Sequence, residues 1–255
     1  MASPQVSISA QMSDIPNSVT PSNARRSQPA QSSLVQIVSQ SSSQNQGGQV
    51  LINLGNTPNT FIKNGSCYLR FKITATTTAK ASADQWIRPG TALCSQPLDK
   101  AGVAEQESHP GSWSCIIQRL TVSAGANVLE QINNYNVYHE ALSLHTAGNY
   151  GLLDQRILEG GQYSDVAYNA DQFKVAKDVV AGTSVSAWVT LPLFAGVFNA
   201  NDNKDFPLGL LQGGVQIVLD LSSDAFALKA TDCAPAMTIS SASFSYEAVQ
   251  VSSEY

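Results

Sequence analysis

The stretch "HEALSLH", His139 to His145, is the first place where side-chain types suggest chemistry. A zinc-protease helix carries H-E-x-x-H, which sets both imidazoles on one face a single turn apart. Here the histidines are six residues apart. That separation is about 600° of rotation at about 100° per residue, so they point to different faces of a helix. They make no metal-ligand pair. The third histidine is His109. A serine nucleophile needs a G-x-S-x-G type elbow, and none occurs. The phosphate-cradling pattern G-x-x-x-x-G-K-[ST] is also missing. "EGGQY", Glu159 to Tyr163, is only a glycine pair in a loop, and Glu105 and Glu107 read as solvated loop carboxylates. A glycosidase carboxylate pair need not be adjacent in sequence. Carboxylates are sparse here, however, and no aromatic-lined cleft is indicated. The cysteines Cys67, Cys94, Cys115 and Cys233 form no C-x-x-C pair and match no zinc spacing. Cys67 and Cys115 lie in apolar, strand-like runs, where a thiol behaves as a small hydrophobe. The disulfide state of the four is left open. The expectation is no catalytic residues, no metal site, no cofactor and no enzyme activity.

The totals explain what the chain does offer. It has 255 residues, 43% hydrophobic and only 13% charged, with a net charge of −5. Soluble domains usually carry about 25% charged residues. Polarity here comes from Ser, Thr, Asn and Gln, which cost less to desolvate against another protein than ions do. The composition points to extensive subunit contact. The only basic cluster is Arg25-Arg26, too little to hold nucleic acid through its phosphates or to anchor on an anionic membrane. The N-terminus "MASPQVSISAQMSD" lacks the basic and apolar regions of a secretory signal. The longest mostly apolar run, Val185 to Phe198, falls short of the ~20 residues of a membrane helix and contains Pro192.

Residues 1–48 read as a flexible polar arm, and residues 49–255 as one β domain. The arm holds 13 Ser and only three charged residues, Asp14, Arg25 and Arg26. Such a composition cannot offset ordering entropy by core burial. Within it, "SLVQIVSQ" (Ser33 to Gln40) alternates, and suits addition to a sheet edge, its own or a neighbour's.

From Gln49 the chain reads as short strands: "QVLINL" (49–54), "SCYLRFKITATTT" (66–78), "SWSCIIQRLTVSA" (112–124), "NVLEQI" (127–132), "SVSAWVTLP" (184–192), "GGVQIVLDLS" (213–222) and "MTISSASFSYEAVQV" (237–251). In the second, Tyr68, Arg70, Lys72 and Thr74 oppose Leu69, Phe71, Ile73 and Ala75. This alternation gives one wet and one core face, as in antiparallel sheets. A hairpin is expected around Ala124-Gly125-Ala126, and a turn at Asn64-Gly65-Ser66, a triplet that also fits glycosylation. The last strand is expected to switch its core face near Val249 through a bulge. One helix is predicted over about 134–147, with Tyr135, Tyr138, Leu142 and His145 on one stripe. Residues 79–111 and 150–182 read as long loops. About eight strands without βαβ alternation point to an all-β, eight-stranded antiparallel jelly-roll sandwich.

The stretch "WVTLPLFAGVFNANDNKDFPLGLLQGGVQIVLDL" resembles a segment of viral major capsid proteins of the double jelly-roll lineage. The likeness rests on Leu191-Pro192-Leu193, Gly196-Val197-Phe198, Phe206-Pro207-Leu208, Val215 to Leu221, and "DAFAL" at Asp224 to Leu228. "SCYLRFKITAT" and "CIIQRLTVSAGANVLEQINNYNVYHEAL", with Tyr135 and Tyr138, resemble further parts of that family. Such proteins build trimeric capsomers of tailless icosahedral DNA viruses. Their chains usually run to twice this length, so this chain has room for one roll and an arm.

The resemblance implies a structural coat protein, synthesised in the host cytoplasm and located in the virion. Its partners would be copies of itself in a trimer or pseudo-hexameric capsomer. A second capsid chain is a further candidate, as are an internal membrane or minor capsid proteins reached through the arm; sequence-specific nucleic acid is not expected. The competing expectation is a receptor- or carbohydrate-binding β-sandwich such as a virion spike. In that case Trp86, Trp113, Tyr150 and Tyr163 would supply stacking surfaces.

Overall fold

The computed structural model describes residues 30–78, 85–86, 88–89, 113–146, 174–175, 180–199, 204–211, 213–222, 228–229 and 236–251. Its main strands are β1 (Ala30–Val38), β2 (Ser43–Asn45), β3 (Gln49–Leu54), β4 (Thr60–Ile62) and β5 (Tyr68–Thr76). Two two-residue strands follow, β6 (Gln85–Trp86) and β7 (Arg88–Pro89). Next come β8 (Ile117–Ala124), β9 (Asn127–Asn133), helix α1 (Tyr135–Thr146) and a short β10 (Lys174–Val175). The chain continues with β11 (Ser184–Pro192), β12 (Val215–Leu221), a short β13 (Leu228–Lys229) and β14 (Ala236–Val251). All seven strand stretches read from Gln49 onward are present, the alternating Ser33–Gln40 patch falls largely within β1, and β2 and β4 are short additions.

The long strands form two antiparallel sheets, ordered β1-β14-β5-β11 and β3-β12-β8-β9. The pairings β1 with β14, β3 with β12, β5 with β11 and β8 with β9 nest inside one another. They describe one long antiparallel ribbon, bent at the β8–β9 hairpin and wound on itself. That is a jelly roll.

Alternation drives the winding. β12 alternates buried and half-buried positions along its whole length, with Val215, Ile217, Leu219 and Leu221 inward. β5 buries Leu69, Phe71, Ile73 and Ala75 and turns Tyr68 and Arg70 outward. These residues meet Val50, Ile52 and Leu54 of β3, Leu120 and Val122 of β8, and Phe244 and Tyr246 of β14 in one core. At the β8–β9 turn Gly125 adopts φ 57°, which glycine tolerates at the first position of a type II′ hairpin.

Three details differ from the sequence expectation. The core face of β14 switches at Ser240–Ser243, not near Val249. The register slips there, and Ser241 takes φ 52°. From Phe244 onward the alternation runs on through Val249. The buried stripe of α1 contains Tyr135, His139 and Ser143, while Tyr138 is exposed. Periods of three and four residues both fit a helix, and contact with the strand ends selects the 135–139–143 face. Third, β1 lies inside the segment assigned to the arm. It joins this chain's own sheet because Val35 and Ile37 pack on the core. Most of 79–111 and 150–182 lies outside the described residues, but β6 pairs with β10 and so brings the two long excursions together.

Candidate assembly surface

Among the described residues, His139, Cys67 and Cys115 serve the interior. His139 is fully buried beneath the end of β11. Its Nε2 lies 3.1 Å from the Pro192 carbonyl, which can only accept, so Nε2 donates. Nδ1 then accepts from Ser143 Oγ at 3.4 Å. The Phe194 ring packs on the imidazole at 4.7 Å, tilted by 48°, and the Phe194 N–H donates to the Tyr135 hydroxyl at 3.0 Å. The histidine thus fastens α1 to the strand end, and its burial removes it from any substrate. Cys67 and Cys115 are buried free thiols, and burial pushes the Cys67 thiol up to about 12. His109, Cys94, Cys233, Glu105, Glu107, Tyr150 and Tyr163 lie outside the described residues, as do the side chains of His145 and Trp86. Trp113, read from sequence as a stacking residue, is fully buried instead. It sits in a 3₁₀ turn packed under α1, where indole burial contributes more than exposure would. Among the described residues no group of three or more His, Cys, Asp or Glu side chains is placed to hold a metal. No described helix is long and apolar enough to cross a membrane.

The "LPLFAGVF…FPL" stretch packs the rim of the roll. Leu193, Ala195, Phe198 and Leu208 are buried. Phe198 meets Phe206 edge-on at 5.1 Å and Phe244 at 5.8 Å. Phe206 and Ile62 exchange both backbone hydrogen bonds at 2.8 Å. Apolar anchors therefore pin both ends of the polar tip between them.

What remains exposed is a broad sheet face with few charges, the cations Arg70 and Lys72 and the pair Lys63–Glu247. Cross-strand register sets its rows. One row runs Gln36, Ser245, Tyr68, Pro192; the next runs Val38, Ser243, Arg70, Thr190; a third runs Ser240, Lys72, Trp188. Serine, threonine and glutamine fill the middle, and Ser243, itself buried, accepts from Gln36 Nε2 at 2.9 Å. One flank carries Leu34 and Val38, 80% and 65% exposed. The opposite flank carries Tyr68 and Trp188, 46% and 48% exposed, with the Arg70 guanidinium 4.7 Å above the indole. The charge pair on this face, Lys63 with Glu247 at 2.7 Å, neutralises itself. Sequence reasoning overlooked Trp188. Its signal was a tryptophan on the polar side of an alternating strand, between inward Ala187 and Val189.

The β9 edge is tied down differently. The Glu130 carboxylate accepts the N–H groups of Gly196 and Val197, each at 2.9 Å. The same carboxylate, after burial, raises the Tyr138 phenol. A cleft of about 390 Å³ at the end of the smaller sheet is lined by Asn53, Asn56, Gln216 and the glycines 55, 125, 213 and 214. It holds no titratable side chain, so it offers no acid–base chemistry.

No family model matches the sequence, and no curated protein matches it. Solved structures do match. The Sputnik virophage structure aligns with TM-score 0.50 and 11% identity over 90% of this chain and 49% of that one. The PBCV-1 virus capsid aligns at 0.49 and 12%, over 90% and 44%. The Faustovirus major capsid protein aligns at 0.47 and 6%, over 89% and 56%. What is shared is the fold. This chain spans about half the length of the structures it matches.

Proposed function

We propose that this chain is a structural capsid protein that builds a shell wall by association with copies of itself. The observation that carries this reading is the nested-ribbon jelly roll combined with its wide, sparsely charged outer face. A sandwich whose described His139, Cys67 and Cys115 are buried, and whose outer face is mostly Ser, Thr, Gln and isolated apolar residues, suits repeated lateral contact. Many modest interfaces related by symmetry hold a shell without any tight pair. Trimeric or pseudo-hexameric capsomers, a companion jelly-roll chain and a location in the virion extend this reading. The polar segment ahead of β1 is proposed as the tether to neighbours or to an underlying layer. Electron microscopy of the purified full-length chain tests the reading: ring-shaped capsomers or shells support it, and dispersed single rolls argue against it.

Tyr68 and Trp188 favour a second reading, a carbohydrate- or receptor-binding sandwich, because exposed rings beside a cation can stack on sugars. Specific retention of the monomer on a glycan array would promote it.

A further inference from the structure

We propose that the free edge of β1 is a self-recognition site, to which a second copy of this chain adds its own β1 antiparallel, Leu34 opposite Leu34. The inference deepens the assembly reading and is tested apart from it.

The edges of the two sheets are not equally protected. β9 carries the charged Glu130 and a register slip next to Ser123, both devices that discourage pairing. β3 receives a hydrogen bond at the Leu51 carbonyl from the Gln40 N–H, 2.9 Å. β11 ends on Pro192, whose carbonyl is taken by His139. β1 has none of these. Its nine residues, AQSSLVQIV, contain no charge, proline or glycine. Among the described residues, its only strand partner is β14. A long uncharged edge of this kind is a template for another strand.

The outward side chains favour a copy of the same strand as occupant. They read Ser32, Leu34, Gln36, Val38, which is polar, apolar, polar, apolar. Antiparallel pairing centred on Leu34 sets Leu34 on Leu34 and Ser32 on Gln36. Each of these residues meets one of its own class, and every one of these outward side chains stays outward, as the period of two requires. No carboxylate is brought against its own image unpaired, because Glu247, beside Leu34 in register, is already held by Lys63 and Ser32. Pairing would cover Leu34 and Val38, the two most exposed apolar side chains of this flank.

The test uses the full-length chain. In Leu34→Cys, opposed Cα atoms about 4.5–5.5 Å apart would suit a disulfide. Mild oxidation is expected to give a covalent dimer well above the wild-type background. Leu210→Cys, at a comparably exposed apolar site away from β1, is the control. Leu34→Lys, which opposes two like charges, is expected to weaken self-association by roughly tenfold or more while the fold survives. Cross-linking at position 34 no faster than at position 210, or unchanged association of Leu34→Lys, overturns the inference. Shells that form normally from Leu34→Lys sink this inference and leave the capsid reading standing. Position-34 dimers with no larger assembly do the reverse.

Discussion

Glu130 and Gly196 are joined by a carboxylate-to-amide hydrogen bond of 2.9 Å across the rim of the roll. The second carboxylate oxygen takes the next amide, Val197. The edge strand β9 thereby orders the turn that leads to Phe198. Charge-assisted bonds of this kind are worth about 1.5–3 kcal/mol each, less when part-exposed. Glu130→Ala should lower unfolding stability by about 1–2 kcal/mol in urea titration, and Glu130→Gln by less, since its amide keeps one acceptor oxygen.

Cys67 is predicted to be inert in the native protein. The nucleophile is the thiolate, and burial has raised this thiol to about 12. At pH 8 iodoacetamide should leave Cys67 unmodified, and denaturant should expose it to rapid alkylation. Mass spectrometry of the Cys67 peptide reads the outcome directly.

Glu247 supplies a pH dependence. Hydrogen bonds from Lys63 and then Ser32 hold its carboxyl below its ordinary value of 4.5. A lowered folded-state value means the unfolded chain takes up the proton first as the solution is acidified. The contribution is therefore complete above about 4.5 and is lost as pH falls through the lowered value. Glu247→Gln should flatten this part of the stability profile below pH 5, relative to wild type, and leave the Cys67 behaviour untouched.

Two glycines that line the same cleft should respond unequally to alanine. Gly214 adopts φ +73°, and a Cβ there would sit 2.6 Å from the Leu54 carbonyl oxygen. That oxygen belongs to β3, so relief of the clash disturbs the β3–β12 pairing. Gly214→Ala should cost about 2–3 kcal/mol. A Cβ on Gly55 would meet nothing within 4 Å, and Gly55→Ala should fall within about 0.5 kcal/mol of wild type. Thermal unfolding of the pair measures both.

Much of this fold could be read from alternation alone. β11 was bounded correctly as Ser184–Pro192, and the two faces of β5 were assigned residue by residue, because one buried face forces a period of two. The short β2 and β4 escaped notice, since three residues carry no usable period. The bulge in β14 was displaced because "SSAS" has no apolar residue large enough to mark the slip. The reach of Glu130 to Gly196 and the stacking of Arg70 on Trp188 were not legible, as both depend on elements far apart in sequence. The low charge of the surface was visible in composition; which face it forms was not.

The central claim, that copies of this roll assemble through their flanks, is tested most directly by measuring the mass of the full-length protein across a wide concentration range by sedimentation velocity. The account predicts discrete oligomers that grow into larger particles as concentration rises. A single species of one-chain mass at every concentration would contradict it.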